Sequence, residues 1–133
     1  MLQALTRYVE INSALVIGTD LFAGTIPQTA SNNVALLMER GGPPDFYSAG
    51  MIALQLQLFS RGDTYWLARA KSYAVYNVLQ GATGITLPVV QSAEEWLLNT
   101  AAASVLPQFL GLDELNRFEF SSNFTLEMER ITW

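Results

Sequence analysis

Apolar and polar residues alternate most regularly near the end of the chain. Phe118, Phe120, Phe124, Leu126 and Met128 take even positions, broken only by Ser122, and Arg117, Glu119, Ser121, Asn123, Thr125, Glu127 and Glu129 take the odd ones. A period of two sends successive side chains to opposite faces, so the segment predicts a strand with one buried and one solvated face. Met51 to Ser60 repeats the pattern, with Ile52, Leu54, Leu56 and Leu58 alternating with Ala53, Gln55 and Gln57. Val34 to Glu39 is nearly all apolar and predicts a strand covered on both faces. Leu21 to Ile26 predicts a short strand stopped by Pro27, followed by a polar turn from Gln28 to Asn33. Residues 84–90 and 94–105 predict two further strands, with the alternative that Glu94-Glu95-Trp96-Leu97-Leu98 opens a short helix.

Helical spacing occurs twice. Leu2, Leu5 and Val9, with Ile11 and Leu15 less regularly, predict an amphipathic helix within residues 2–15, ended by Gly18-Thr19-Asp20. Leu67, Ala70, Ala74 and Val78, joined by Trp66 and Tyr73, predict a longer helix at about 64–80, with Asp63 as its N-cap and Gly81 as its stop. Between the second and third strands Gly41-Gly42-Pro43-Pro44-Asp45 breaks any regular element and predicts an exposed loop to about Ala49. The order is helix, two strands, loop, strand, helix, three strands, with no repeat or linker. It predicts one α+β domain over 1–133, a mainly antiparallel sheet flanked by the two helices.

Composition changes the picture in one respect. Of the 133 residues, 50% are apolar and 14% charged, against about 25% charged in ordinary domains. Either the core is unusually complete for so small a domain or a partner covers much of the surface, and the high surface-to-volume ratio of a small domain favours the partner. The net charge is −5, Lys71 is the only lysine, and the arginines are scattered. Wrapping of nucleic acid, which needs clustered cations, is therefore not expected, whereas an acidic wall that DNA slides past is compatible. The N-terminus has no basic region followed by an apolar one, and no apolar run reaches the roughly 18 residues of a membrane span, so a soluble protein made in the cytoplasm is expected. The sequon Asn123-Phe124-Thr125 is read as chance.

Candidate chemistry is sparse. The chain has no histidine and no cysteine, which removes the commonest general base, the commonest metal ligand, thiol nucleophiles and zinc fingers. Glu94 and Glu95 are adjacent and would face opposite sides of a strand. Asp113 and Glu114 beside Gly111 and Asn116 lack an oxygen-rich cation pattern and read as a loop between strands. Gly41-Gly42 is not followed by Gly-Lys-Ser/Thr, and Pro43-Pro44 offers no backbone N–H, so no phosphate cradle is expected. Tyr65, Trp66 and Tyr73 read as core aromatics, since no basic cluster accompanies them. Glu127 and Glu129 share a strand face and are expected to meet water or a shared channel. No enzyme, no cofactor and no metal site is expected; burial against identical neighbours in a closed ring is the simplest account.

Several segments, in order, resemble the tail terminator family of long-tailed bacteriophages. They are Gly18-Thr19-Asp20-Leu21-Phe22-Ala23-Gly24-Thr25-Ile26-Pro27 after a helix, Glu39-Arg40-Gly41-Gly42-Pro43-Pro44, and an alternating strand ending at Arg61 before Asp63-Thr64-Tyr65 with small Ala68, Ala70 and Ala74. The last is Pro107-Gln108-Phe109-Leu110-Gly111-Leu112-Asp113-Glu114-Leu115-Asn116-Arg117-Phe118-Glu119 with a strand through Asn123-Phe124. Leu115 departs from the small or polar residue usual in that turn. The resemblance covers nearly the whole chain and implies a structural virion protein at the tail–neck junction. Such a protein forms a homo-oligomeric, hexameric ring that caps the tail tube, ends polymerisation, meets head-completion or neck proteins and lets DNA pass its lumen without specific binding. Another neck component, or less favoured a small ligand-binding or enzymatic α+β domain, is the alternative. Gly41, Gly42, Pro43, Pro44, Asp45 and Phe46 as one loop, Gly111 to Asn116 with Asp113, Glu114 and Asn116 as another, and Phe109 and Leu110 as apolar contacts are expected to face partners.

Overall fold

The strongest alternation produces the central strand. In a computed structural model, which describes residues 1–41, 51–90 and 94–131, β7 (Phe118–Arg130) is paired along both sides. On one side β3 (Met51–Gly62) runs antiparallel to it from Met51↔Glu129 to Gly62↔Phe118. On the other, β5 (Trp96–Ala103) pairs with residues 124–130 and β6 (Gln108–Leu112) with residues 118–121. The bend between β5 and β6 is tied to β7. The Ser104 N–H donates to the Asn123 carbonyl at 2.9 Å and the Ser122 hydroxyl donates to the Val105 carbonyl at 2.6 Å.

Outward from β3, β2 (Val34–Glu39) is antiparallel to it and β1 (Leu21–Ala23) is parallel to β2; outward from β5 lies β4 (Thr83–Thr86). The seven described strands form one mostly antiparallel sheet, and with α1 (Leu2–Ile11) and α2 (Tyr65–Leu79) they make an α+β fold, as the sequence predicts. Both helices pack on one sheet face, where Leu5, Val9, Leu37, Leu56, Leu58, Val75, Leu79, Leu98, Phe124, Leu126 and Met128 are fully enclosed. Residues 34–37 of β2 are buried on both sides because the opposite face carries a smaller cluster of Phe22, Val34 and Leu36 backed by Ile26, Ala30 and Phe59.

Boundaries depart from the sequence expectation where short-range hydrogen bonds intervene. α1 stops at Ile11: the Asn12 N–H makes the last helical bond, to the Tyr8 carbonyl, which the Asn12 side-chain amide also meets, and the Ser13 hydroxyl donates to the Val9 carbonyl; Ile11 is exposed and Leu15 buried. β1 ends at Ala23 because Gly24 takes φ +84°. The N-cap of α2 is Thr64, not Asp63: its hydroxyl accepts the Leu67 N–H at 3.2 Å, while the Asp63 carboxylate accepts from Asn32 and Asn33. Residues 83–86 form β4 and 96–103 form β5, so the helical alternative at 94–98 is overturned. A fourth strand after α2, β6, was not predicted; a bulge between Phe109 and Gly111, with Gly111 at φ +120°, destroys its alternation.

The face of α2 is also corrected. The buried stripe is Ala68, Ser72, Val75 and Leu79, with Leu67 and Ala70 exposed and Trp66 70% exposed. The contact that fixes this face is close: a Cβ on Gly62, at the end of β3, would lie 2.6 Å from the Ala68 nitrogen. Backbone on both sides cannot yield cheaply, so Gly62→Ala is expected to cost about 1–3 kcal/mol, lowering the urea midpoint at unchanged slope.

Candidate assembly interface

Rotating α2 as it lies brings its first turn over the N-terminal end of β7 and beside β6. Tyr65 is the hub: its ring centroid lies 5.0 Å from Phe120, 5.4 Å from Phe109 and 5.0 Å from Trp66. Phe109 also lies 5.6 Å from Phe120 and 6.0 Å from Phe118. Aromatic packing is thus continuous from Phe120, which is buried in the core, out to Trp66 in solvent. Around it Leu67, Phe109, Leu110 and Leu112 are exposed, Leu112 by 54%. Arg69 lies over the Tyr73 ring at 4.4 Å and within 6.0 Å of Trp66, a cation–π stack that fixes the helix side of the flank. Among the described residues no strand pairs with the outer edge of β6, so a row of backbone N–H and C=O groups lies open beside these apolar side chains.

The β6–β7 turn bounds this flank and is closed internally. Asp113 Oδ1 accepts the N–H groups of Leu115 and Arg117, each at 2.9 Å, and Oδ2 accepts from Arg117 Nε at 2.7 Å. The Arg117 N–H, foremost, with the Arg117 side chain and the Leu115 N–H, holds the Asp113 carboxyl below its ordinary range against the opposing effect of desolvation. Asn116 adopts φ +60°, a left-handed conformation that asparagine tolerates better than most residues. Asp113 and Asn116 therefore shape the turn, and Glu114 and Leu115 stand at its tip, Leu115 71% exposed. Behind the turn Arg61 Nε is buried without an acceptor; an unpaired buried donor of this kind costs about 1–3 kcal/mol. Desolvation, then the neighbouring Arg117 charge, lowers the Arg61 pKa.

Of the residues expected to meet partners, Phe109 and Leu110 lie on the flank and Asp113, Glu114 and Asn116 in the turn that bounds it. Gly41 is exposed at the end of β2, φ +79°, its carbonyl accepting the Gln55 N–H at 2.7 Å. Gly42, Pro43, Pro44, Asp45 and Phe46 lie outside the described residues. Trp66 and Leu67, read from the sequence as core, are exposed on this flank, and Leu112, within the 111–116 segment expected to face partners, lies on β6 and not in a loop. Ser72 in the true buried stripe was the misleading signal, because a serine there made the other face of α2 look more apolar.

The sheet face away from the helices is polar at its centre. Gln57 accepts from Arg40 at 2.7 Å and donates to Ser121 at 3.3 Å, and Thr125 donates to Gln55 at 3.2 Å. At the far end of β7 Glu127 stands across from Ala53 and Thr100, and Glu129 across from Met51 and Leu97, with no cation opposite either. Among the described residues no group of three or more Asp or Glu is placed to hold a metal ion, and no helix is long and apolar enough to cross a membrane.

A domain whose prominent surface is an exposed aromatic flank on an open sheet edge has the make-up of an assembly subunit. A family model described as bacteriophage tail terminator protein matches residues 8–130, and the chain belongs to that family; it is a structural protein of the phage tail and a component of the virion. Among solved structures, a chain from the virion of a native gene transfer agent particle matches with a TM-score of 0.50 at 16% identity, over 94% of this chain and 84% of that one. At that identity the likeness concerns the fold. No curated protein matches the sequence.

Proposed function

We propose that the chain assembles into a ring, six-fold in the manner of its family, that caps the head-proximal end of the tail tube. The ring stops tube polymerisation and presents the surface on which the head or neck proteins dock. It acts through interfaces alone, as a non-enzymatic component at the tail–neck junction. The observation that carries the reading is the exposed flank of Trp66, Leu67, Phe109, Leu110 and Leu112 beside the open edge of β6. Exposed apolar surface of this kind on a small domain marks a protein interface, and copies contacting through unlike surfaces form a ring where the rotation between them closes. A net charge of −5 suits a lumen through which DNA passes without being held.

The purified protein is expected to sediment as a ring, and added to polymerising tail-tube protein it should shorten the tubes and appear at one end in negative-stain images. A protein that stays monomeric with tube protein present, and leaves tube length unchanged, contradicts the reading. Binding to portal or connector protein in place of tube protein would move it to another position in the neck.

A further inference from the structure

Between the β1–β2 connection and the β6–β7 turn lies a cavity of about 340 Å³ lined by Ile26, Pro27, Gln28, Arg61, Leu115 and Arg117. The two guanidinium groups are not equally engaged. Arg117 is held by Asp113 at 2.7 Å and reaches Asn32 at 3.4 Å. Arg61 donates through Nη2 to the Ser31 carbonyl at 3.2 Å, while its Nε is buried with no acceptor. Glu119, directly across from Arg61 on β7, does not supply one.

We propose that this cavity receives a glutamate carboxylate from a second copy of the chain, supplied by the Glu127–Glu129 row. The planar fork of an arginine matches a carboxylate better than any other side chain does. Ile26, Pro27 and Leu115 give an apolar wall for the methylene stem of a glutamate. A polyphosphate chain fits less well, because the subunit is acidic overall and Asp113 and Glu119 flank the arginines. The donor lies on the same strand: Glu127 and Glu129 are at the opposite end of β7 from Arg117, with no cation across from them. Acceptor and donor at opposite ends of one subunit are what a head-to-tail contact requires, and that contact builds a ring where the rotation between copies closes. Leu115 lines the cavity and stands exposed at the tip of the turn that follows β6. The inference rests on the ring reading above.

The test is a charge exchange read by mass photometry at about 0.15 M salt. Arg61→Glu is expected to raise the concentration for half-assembly by about tenfold or more, and combining it with Glu127→Arg or Glu129→Arg should bring that concentration back to within about threefold of wild type. Arg61→Lys, which keeps the charge and loses the fork, should fall between, and it decides the matter if Arg61→Glu loses its far-ultraviolet circular dichroism. If wild type forms no ring, the ring reading itself fails. Rings that form while both Arg61 variants assemble as wild type, or that neither double variant restores, overturn the carboxylate contact alone. Retention of single-stranded DNA by wild type and not by Arg61→Lys, with assembly unchanged, would put phosphate in the cavity and overturn it as well.

Discussion

The double substitution Trp66→Ser with Phe109→Ser is expected to yield a folded monomer. Trp66 is 70% exposed and Phe109 44% exposed, so the cost to the fold comes mainly from Phe109, which packs on Tyr65, Phe118 and Phe120 at the edge of the domain and outside its central core. At an interface the same two side chains are the kind that dominate binding, with truncation costing about 2 kcal/mol or more each. Together that corresponds to a fall in association of about a thousandfold. Sedimentation over a dilution series reads the effect, and circular dichroism confirms that the fold survives. Rings persisting at the wild-type midpoint would mean that this flank faces solvent in the assembly.

The largest effect on folding is expected from Phe124→Ala. Phe124 is fully enclosed, pairs in register with Leu56 of β3 and Ala103 of β5, and lies 6.1 Å from the Tyr76 ring of α2. Its removal opens a cavity where the central strand meets the longer helix, at a cost of about 3–5 kcal/mol. Set against a total stability of about 5–15 kcal/mol, that is enough to unfold much of the population at physiological temperature. Urea unfolding of this variant in the Trp66→Ser, Phe109→Ser background isolates the cost from that of assembly. A loss under about 1 kcal/mol would show that the site collapses around the missing ring.

The contrast between these two phenylalanine positions illustrates what could be read from the sequence. Phe124 belongs to an alternation long enough to define both faces of β7, and β3 is defined in the same way by Ile52 to Leu58. Those two strands fix the centre of the sheet. Phe109 belongs to β6, where one inserted residue shifts the register and Gly111 breaks the period, so local pattern carried no strand signal. Pairing with β7, a tertiary event, makes that segment a strand. On α2 nearly every position is apolar or small, which left the buried face undetermined until Gly62 met Ala68. Asp113 was legible as a loop residue, but its part in holding the turn from Leu115 to Arg117 depends on an arginine four residues away folding back onto it.

The double-sided pairing of β7 has a mechanical consequence. A tension applied along that strand must rupture the backbone hydrogen bonds to β3 and to β5 and β6 collectively, in shear. The short strand β4, which among the described residues pairs only with β5, would instead peel away bond by bond. A joint that fastens its neighbours to the middle of the sheet can therefore bear load that the same joint fastened to β4 could not.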